Sequence, residues 1–327
     1  AGDVGKDKVV LDALKRYNVS QLDYLIATHA HPDHIGGAAE VIKAVKVITV
    51  LHNNSPPPGV AADETAGQDD TRIRDLNIKD GWGQGKEKAR KAPAAKKQVK
   101  SVELPTVKTY NEFKSAVNQQ GVRFERAEPG QHYDLSGGVR LTVLAPSEPL
   151  FTREQMRAGG NEPNANSIVV RLDYGDFSML LPGDAEVQTE QRMISKDTNL
   201  AARILKVAHH GSKYATSEEF LKRVKPEAAI ISTGEANRYG HPSPAVLQRL
   251  QAAGIRQLYR TDLQGEITIT TTGKIKDGKL YEIKSEKEAK SDLWAGREAQ
   301  KDDSARSGFV AYGDFGPPPR PRKAKKQ

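Results

Sequence analysis

The chain has 327 residues, enough for one large domain or two small ones with a substantial core. It contains no Cys, which excludes disulfides, thiolate nucleophiles and Cys-bound zinc, and no apolar run approaches the ~20 residues of a membrane-spanning helix. Lys and Arg (50) outnumber Asp and Glu (42), a net charge of +8 that suggests a polyanionic partner until the excess is located along the chain.

The chain opens at Ala1 with neither a Met nor a charged-then-apolar leader, so cytoplasmic residence and export after leader removal are both compatible with it. Helical spacing runs from Val9 to Tyr17, followed by a strand over Leu22 to Thr28, a helix from about Ile35 to Ala44 and a strand over Val45 to Leu51. From about 53 to 100 the pattern dissolves into SPPPG, ADETAGQDD, GWGQGKEK and ARKAPAAKKQ, which reads as a solvated low-complexity insertion. Strands resume at Val139 to Leu144, Ser167 to Leu172 and Phe177 to Leu181, the last two joined by the hairpin turn Asp173-Tyr174-Gly175-Asp176. Then come a helix over Glu186 to Ile194, a strand over Ile204 to Ala208, a helix over Ser217 to Val224, a strand over Ala228 to Ser232 and a helix from Pro244 to Ala253. Strands at Gln257 to Arg260 and Glu266 to Thr271 close the ordered part, and residues 286–327 read as a charged, basic, disordered tail ending in PPPRPRKAKKQ. Alternating strands and helices indicate layered βα units.

The sharpest signal is Thr28-His29-Ala30-His31-Pro32-Asp33-His34-Ile35-Gly36-Gly37, between a strand and a helix. Three imidazoles and a carboxylate within six positions converge where the backbone reverses, and they are the ligand types that zinc and similar divalent ions prefer. Two later strand ends offer more ligands: Asp184 in Pro182-Gly183-Asp184, placed to bridge two ions, and the pair His209-His210 before Gly211-Ser212. Adjacent residues on a strand end point to opposite sides, so His210 is taken as the ligand and His209 as its support or a contact to a substrate phosphate.

THAHPDHIGG, LLPGDAE, VAHHGSK and NRYGHP together resemble the metallo-β-lactamase superfamily, and within it the ComEC-like hydrolases. The resemblance covers about 1 to 272 apart from the insertion. It implies an αββα sandwich over 1–285, a mixed α and β fold with a binuclear site at the edge between two sheets. His29 and His31 would hold the first of two divalent ions, Zn²⁺ or Mn²⁺, and Asp33, His34 and His210 the second, with Asp184 between them. Two departures stand out. Members with a complete first site carry one more His about twenty residues before the Asp184 position, where this chain has Asn164-Ala165-Asn166-Ser167. Asn166 is taken to stand in the place of that imidazole and beside the substrate, which weakens the first site and favours a harder ion such as Mn²⁺. His52 and His132 are the only histidines left to fill the gap. The second departure is that the chain starts at Ala1-Gly2-Asp3, as if inside the turn that follows the family's first hairpin, so its first strands are expected to be missing.

The resemblance implies hydrolysis by a metal-activated water, with phosphodiesters, nucleic acid above all, as substrates. A small phosphodiester, a lactone or a lactam is the alternative within the family, and a non-enzymatic anion-binding module with a vestigial metal site is the alternative of another class. Asp33, His209 and His241 are the candidate catalytic residues, His241 as acid for the leaving group or as a phosphate contact. Ser212 and Arg238 join Asn166 as candidate substrate contacts. Lys206 and Lys213 read as ordinary strand-flank charges. The positive charge lies elsewhere: Lys86 to Lys100 is net +6 and Pro317 to Gln327 is net +5, which leaves −3 for the rest. The basic segments suit tethering to a polyanion and do not describe a cationic cleft.

Overall fold

Short apolar runs alternating with amphipathic helices need sheets with helices outside them, and the computed structural model has that arrangement. It describes residues 2–57, 60, 104–156, 162–237 and 239–297. Residues 58–59 and 61–100 of the expected insertion, 298–327 of the expected tail, and Arg238 lie outside the described residues.

The first half supplies α1 (Asp7–Arg16), β1 (Gln21–Ala27), α2 (Pro32–Ile35), α3 (Ala38–Ala44), β2 (Lys46–His52), α4 (Pro105–Gln119) and β3 (Arg123–Arg126). Its three strands form a parallel sheet in the order β1-β2-β3. One face is covered by α2, α3 and α4, whose Ile35, Ile42, Phe113 and Val117 bury against Val47 and Val50. The second half supplies β4 (His132–Asp134), β5 (Val139–Ala145), α5 (Glu162–Ala165), β6 (Val169–Tyr174), β7 (Phe177–Leu181), α6 (Val187–Ser195), β8 (Ile204–Lys206) and α7 (Glu218–Val224). It continues with β9 (Ala228–Ile231), α8 (Pro244–Ala252), β10 (Gln257–Arg260), α9 (Thr261–Gln264), β11 (Ile267–Lys276) and β12 (Lys279–Ser285). Seven of these strands make a sheet in the order β10-β9-β8-β7-β6-β5-β4.

The two-residue period of a strand sorts this larger sheet into two faces. Val169, Leu180, Leu205, Ala229 and Ile231 face outward under Phe220, Leu221, Leu247 and Leu250 of α7 and α8. The opposite face is covered in two parts. Val143, Ile168 and Val170 pack against Leu51, Tyr24 and Ile26 of the first sheet, and Phe177, Ile204 and Ile230 pack against Ile267, Ile269 and Ile283 of the β11–β12 hairpin. The result is the αββα sandwich. Helices lie outside both sheets, and the strand ends that carry β1 into His29, β7 into Asp184 and β8 into His209 meet at one edge. The amide of Ile168 donates to Thr28 O (2.9 Å) and ties the two sheets together there.

Several elements between and after the expected ones, among them α4, β3, β4 and β12, were not apparent from spacing. The apolar positions Tyr110, Phe113, Ala116 and Val117 of α4 do follow a helical period, but no side-chain cap marks its start and it adjoins the low-complexity run. β3 and β4 are edge strands of four and three residues carrying Arg123, Glu125, Arg126 and Asp134, the charged character with which sheets blunt their edges. The β11–β12 hairpin turns on Asp277 and Gly278, both at positive φ, as a two-residue type I′ turn requires.

Residues 286–297, assigned by composition to the tail, lie against the fold. Leu293 and Trp294 pack on the outer core, and the buried Arg260 holds Asp262 through Nη2 (2.7 Å) and Nε (3.1 Å) while its Nη1 donates to Leu293 O and Ala295 O. Arg297 is a second cation for Asp262, at 2.8 Å. Charge and low hydropathy describe this segment's surface, whereas its attachment depends on a guanidinium supplied by β10. Arg260→Ala should lower stability by about 3 kcal/mol, the low end for removing one partner of a buried pair because Arg297 still faces Asp262. A reduced urea midpoint at unchanged m-value checks this, and an unchanged midpoint would show that the segment does not dock in solution.

Candidate metal centre

Each cluster residue reaches the edge through a local backbone device. His31 is extended (φ −82°, ψ 147°) and Pro32 opens α2, so His29 and His31 leave a strand-like stretch while Asp33 and His34 leave a helical turn. Gly36 has ordinary helical angles; its missing side chain instead makes room for Asp3 and Val4, since a Cβ there would lie 2.4 Å from Val4 N. Gly183, at φ +56°, makes the turn that delivers Asp184. His209 (φ 47°, ψ 49°) and His210 (φ 54°, ψ 16°) are both left-handed, a conformation that costs roughly 1–2 kcal/mol per non-glycine residue. The pair is therefore a tight turn and not the end of a strand, and both rings swing to the same side. The sequence-based choice of His210 over His209 assumed strand geometry.

Asp184 is the hub. Its carboxylate is 2% exposed, and Oδ2 lies 3.1 Å from His34 Nε2, 3.5 Å from His210 Nε2, 3.8 Å from His209 Nε2 and 4.0 Å from His29 Nε2. His29 Nε2 is 3.0 Å from His31 Nδ1. Asp33, its side chain 47% exposed at the mouth, places Oδ2 3.3 Å from His210 Nε2 and 3.5 Å from His34 Nε2. Asp33, His34, Asp184 and His210 each offer one donor atom within 4.8 Å of the others. Oδ1 of Asp184 is buried without a hydrogen-bond partner, and imidazole nitrogens face one another at 3.0 and 3.2 Å. Such a donor set fits divalent metal ions.

Surrounding groups aim these donors. His210 Nδ1 donates to Ser232 O (2.7 Å), which leaves Nε2 as the lone-pair nitrogen facing the cluster. His29 Nδ1 lies 3.2 Å from the hydroxyls of both Thr28 and Ser167, and Ser167 Oγ also accepts from the amide of Asp184 (3.1 Å). Burial pushes the His29 and His31 pKa values down, which keeps them neutral. Burial also pushes His209 down to about 3 and His241, with help from His210, to about 4. His210 moves the other way: burial lowers it, but the nearby Asp184 and Asp33 carboxylates outweigh burial. For Asp184 burial acts upward, and His34, His210 and His209 together hold it well below the carboxylate range.

The other expected residues are dispersed. Asn166 is buried, and its side-chain amide is engaged by backbone, Oδ1 accepting from Phe151 N and Nδ2 donating to Phe151 O (both 2.9 Å). Asn164 is the asparagine that faces the cluster, with Nδ2 3.3 Å from His209 Nε2. Ser212 is buried, its hydroxyl accepting from the Tyr214 amide inside the turn. His52 stacks on Phe124 (3.8 Å between ring centres) and His132 lies in the edge strand β4, away from the gap. His241 is 5.5 Å from the His209 ring, centre to centre, in a loop closed by Asn237, whose side chain accepts from His241 N and donates to His241 O. A pKa near 4 leaves that ring neutral at pH 7, which suits a hydrogen bond to substrate better than the role of acid. Two contributors, Glu186 and Glu190, escaped the sequence reading, and Lys206 was read there only as a strand-flank charge. Glu186 is buried with Oε1 3.8 Å from His209 Nδ1. Glu190 accepts from the amides of Thr216 and Ser217, fixing the far end of the histidine turn. Lys206 donates to Val207 O, its pKa pushed down by burial and up by Asp184 and Asp33. The sequence LLPGDAE already contained Glu186, two positions beyond the hub, as the one available signal.

A family model described as the metallo-beta-lactamase superfamily matches residues 2–90, the stretch that carries β1, the His29–Gly37 turn and α3. The chain carries a metallo-β-lactamase superfamily domain. Within the superfamily it is 31% identical over 261 residues to ComE operon protein 3 of Bacillus subtilis (strain 168), covering 80% of this chain and 26% of that protein. It is 38% identical over 131 residues to Competence protein ComA of Neisseria gonorrhoeae, 40% of this chain and 18% of the relative. It is 45% identical over 113 residues to Recombination protein 2 of Haemophilus influenzae, 35% of this chain and 13% of the relative. These relatives are ComEC-like competence proteins, and the chain spans about a quarter or less of the length of each. A solved diphosphatase of the PhnP family overlaps 70% of this chain and 66% of its own at 12% identity and a TM-score of 0.31, too slight a likeness to argue from.

The electrostatics of this superfamily site imply a pH response of the metal-free protein. His29, His31, His209 and His241 stay neutral when folded, whereas the unfolded chain takes up protons on them below pH ~6.5. The unfolded state then binds more protons, so stability falls as pH falls. His210, raised, works in the opposite sense and is outnumbered. Urea midpoints of the chelator-treated protein should decline from pH 6.5 toward 4; a flat or rising profile would show that these imidazoles are not buried together.

Proposed function

We propose that the chain is a metal-dependent phosphodiesterase that acts on nucleic acid. The observation that carries the reading is the buried Asp184 carboxylate shared among four imidazole nitrogens at the edge between the sheets, with Asp33 open to solvent beside it. Divalent ions in a site of this kind supply water activation and Lewis-acid stabilisation of an oxyanion, Mn²⁺ and Zn²⁺ being the candidates.

The residues of the chain supply the rest. Asp184 fixes the relative placement of the two halves of the donor set, and Asp33 at the mouth orients what approaches. Neutral His241 offers a ring nitrogen to a phosphate or leaving oxygen. The Lys206 ammonium adds positive charge near the same carboxylates. Tyr239, 56% exposed, stacks over His241 with ring centres 6.0 Å apart, and Tyr214 follows the histidine turn, giving aromatic faces suited to bases. Two of the relatives are named for competence and recombination, and recombination is a transaction of nucleic acids. The basic segments at 86–100 and 317–327 add sequence-independent attraction for a polyanion.

The purified protein should cleave single-stranded DNA and a chromogenic phosphodiester with added Mn²⁺, and lose both activities to a chelator. His34→Ala and Asp184→Ala should each lower kcat/KM by roughly 100-fold or more, because each removes a donor from the shared cluster. Turnover that survives chelation and both substitutions would overturn the mechanism. DNA cleavage should exceed that of the small diester and fall steeply with salt; a salt-independent preference for the small diester would move the assignment to a small-molecule phosphodiesterase.

A further inference from the structure

The first-ion ligand set, as the sequence resemblance implies it, has two imidazoles where a complete site has three. The structure changes which residues bear on that gap. Asn164, not Asn166, faces the cluster, and it stands twenty residues before Asp184. The His209 ring lies against it: His209 Nε2 comes to 3.3 Å from Asn164 Nδ2 and 3.8 Å from Asp184 Oδ2. His29 Nε2 approaches the same carboxylate oxygen at 4.0 Å and His31 Nδ1 at 3.0 Å from His29 Nε2.

We propose that His209 Nε2 is the third nitrogen ligand of the first metal ion, with His29 Nε2, His31 Nδ1 and the shared Asp184, so that a short amide at 164 and an imidazole at 209 replace the missing histidine from across the site. Three observations support it. The left-handed angles of His209 and His210 turn two neighbouring rings toward one carboxylate, which a strand would forbid. Each ring then has its own surroundings: His210 sits with Asp33 and His34, whereas His209 sits with Asn164, Glu186 and His241. Finally, the Glu186 carboxylate lies on the Nδ1 side of His209, at 3.8 Å a charge contact longer than a hydrogen bond, and Nε2 is the ring nitrogen turned toward Asp184. The assignment fits the departure at 164 without invoking His52 or His132, which the fold holds away. It rests on the metallohydrolase reading above, but concerns metal binding and not turnover.

The test is a Co²⁺ titration of the metal-free protein, followed by visible absorption and by counting bound metal after desalting. Asn tolerates left-handed angles, so His209→Asn preserves the turn. Wild type should bind two ions. His209→Asn should bind one with wild-type affinity and the other at least tenfold more weakly, with loss of part of the ligand-field absorption. Adding Asn164→His to His209→Asn should restore the second ion, a rescue that a folding defect would not permit. One bound ion in the wild type, or two ions held unchanged by His209→Asn, would overturn the proposal. If the stoichiometries come out as expected while no phosphodiester is cleaved, the ligand assignment stands and the functional reading alone fails.

Discussion

A carboxylate removed from water needs positive charge, and Asp184 is enclosed where the two sheets meet. Burial presses His29, His31 and His209 toward neutrality and only His210 is pushed the other way, so the protein alone supplies little cation. This mismatch is what makes the edge a metal site: divalent ions satisfy the carboxylate and neutral imidazoles together, where protons could satisfy only one of them. The fold can be understood as the scaffold that holds this arrangement. Parallel strands end at the same edge, turns at Gly183 and at His209-His210 deliver side chains inward, and the bond from Ile168 to Thr28 registers one sheet against the other.

Much of this was legible in the sequence because the motifs are local. His29 to His34 act through a six-residue turn, and strand periodicity announced β1, β2 and β5 to β10 nearly to their ends. What was not legible depends on neighbours. Edge strands such as β3 and β4 carry charge because nothing pairs with their outer side, so they resemble loops. Residues 286–297 resemble a tail because the group that fixes them, Arg260, is some thirty residues upstream and is itself unremarkable in sequence.

The two asparagines Asn164 and Asn166 are the more instructive case. Counting back from Asp184 marked a four-residue window, and counting cannot tell which amide turns inward. The structure decides through competition: the part-buried backbone of Phe151 holds Asn166 with two hydrogen bonds, while the Asn164 side chain on α5 faces His209 and Glu186. The same limit applied to His209 and His210, where alternation is a sound rule for strands and the backbone was not one.

The left-handed turn at those two histidines narrows what evolution can place there. Of the side chains that bind hard or borderline ions, His, Asp and Asn also tolerate positive φ, while Glu and Cys gain no such tolerance. Backbone shape and coordination chemistry therefore filter the two positions independently and accept nearly the same residues. A chain that drifted at either position would have to change its turn and its metal at once, so the turn acts as a lock on the chemistry of the site.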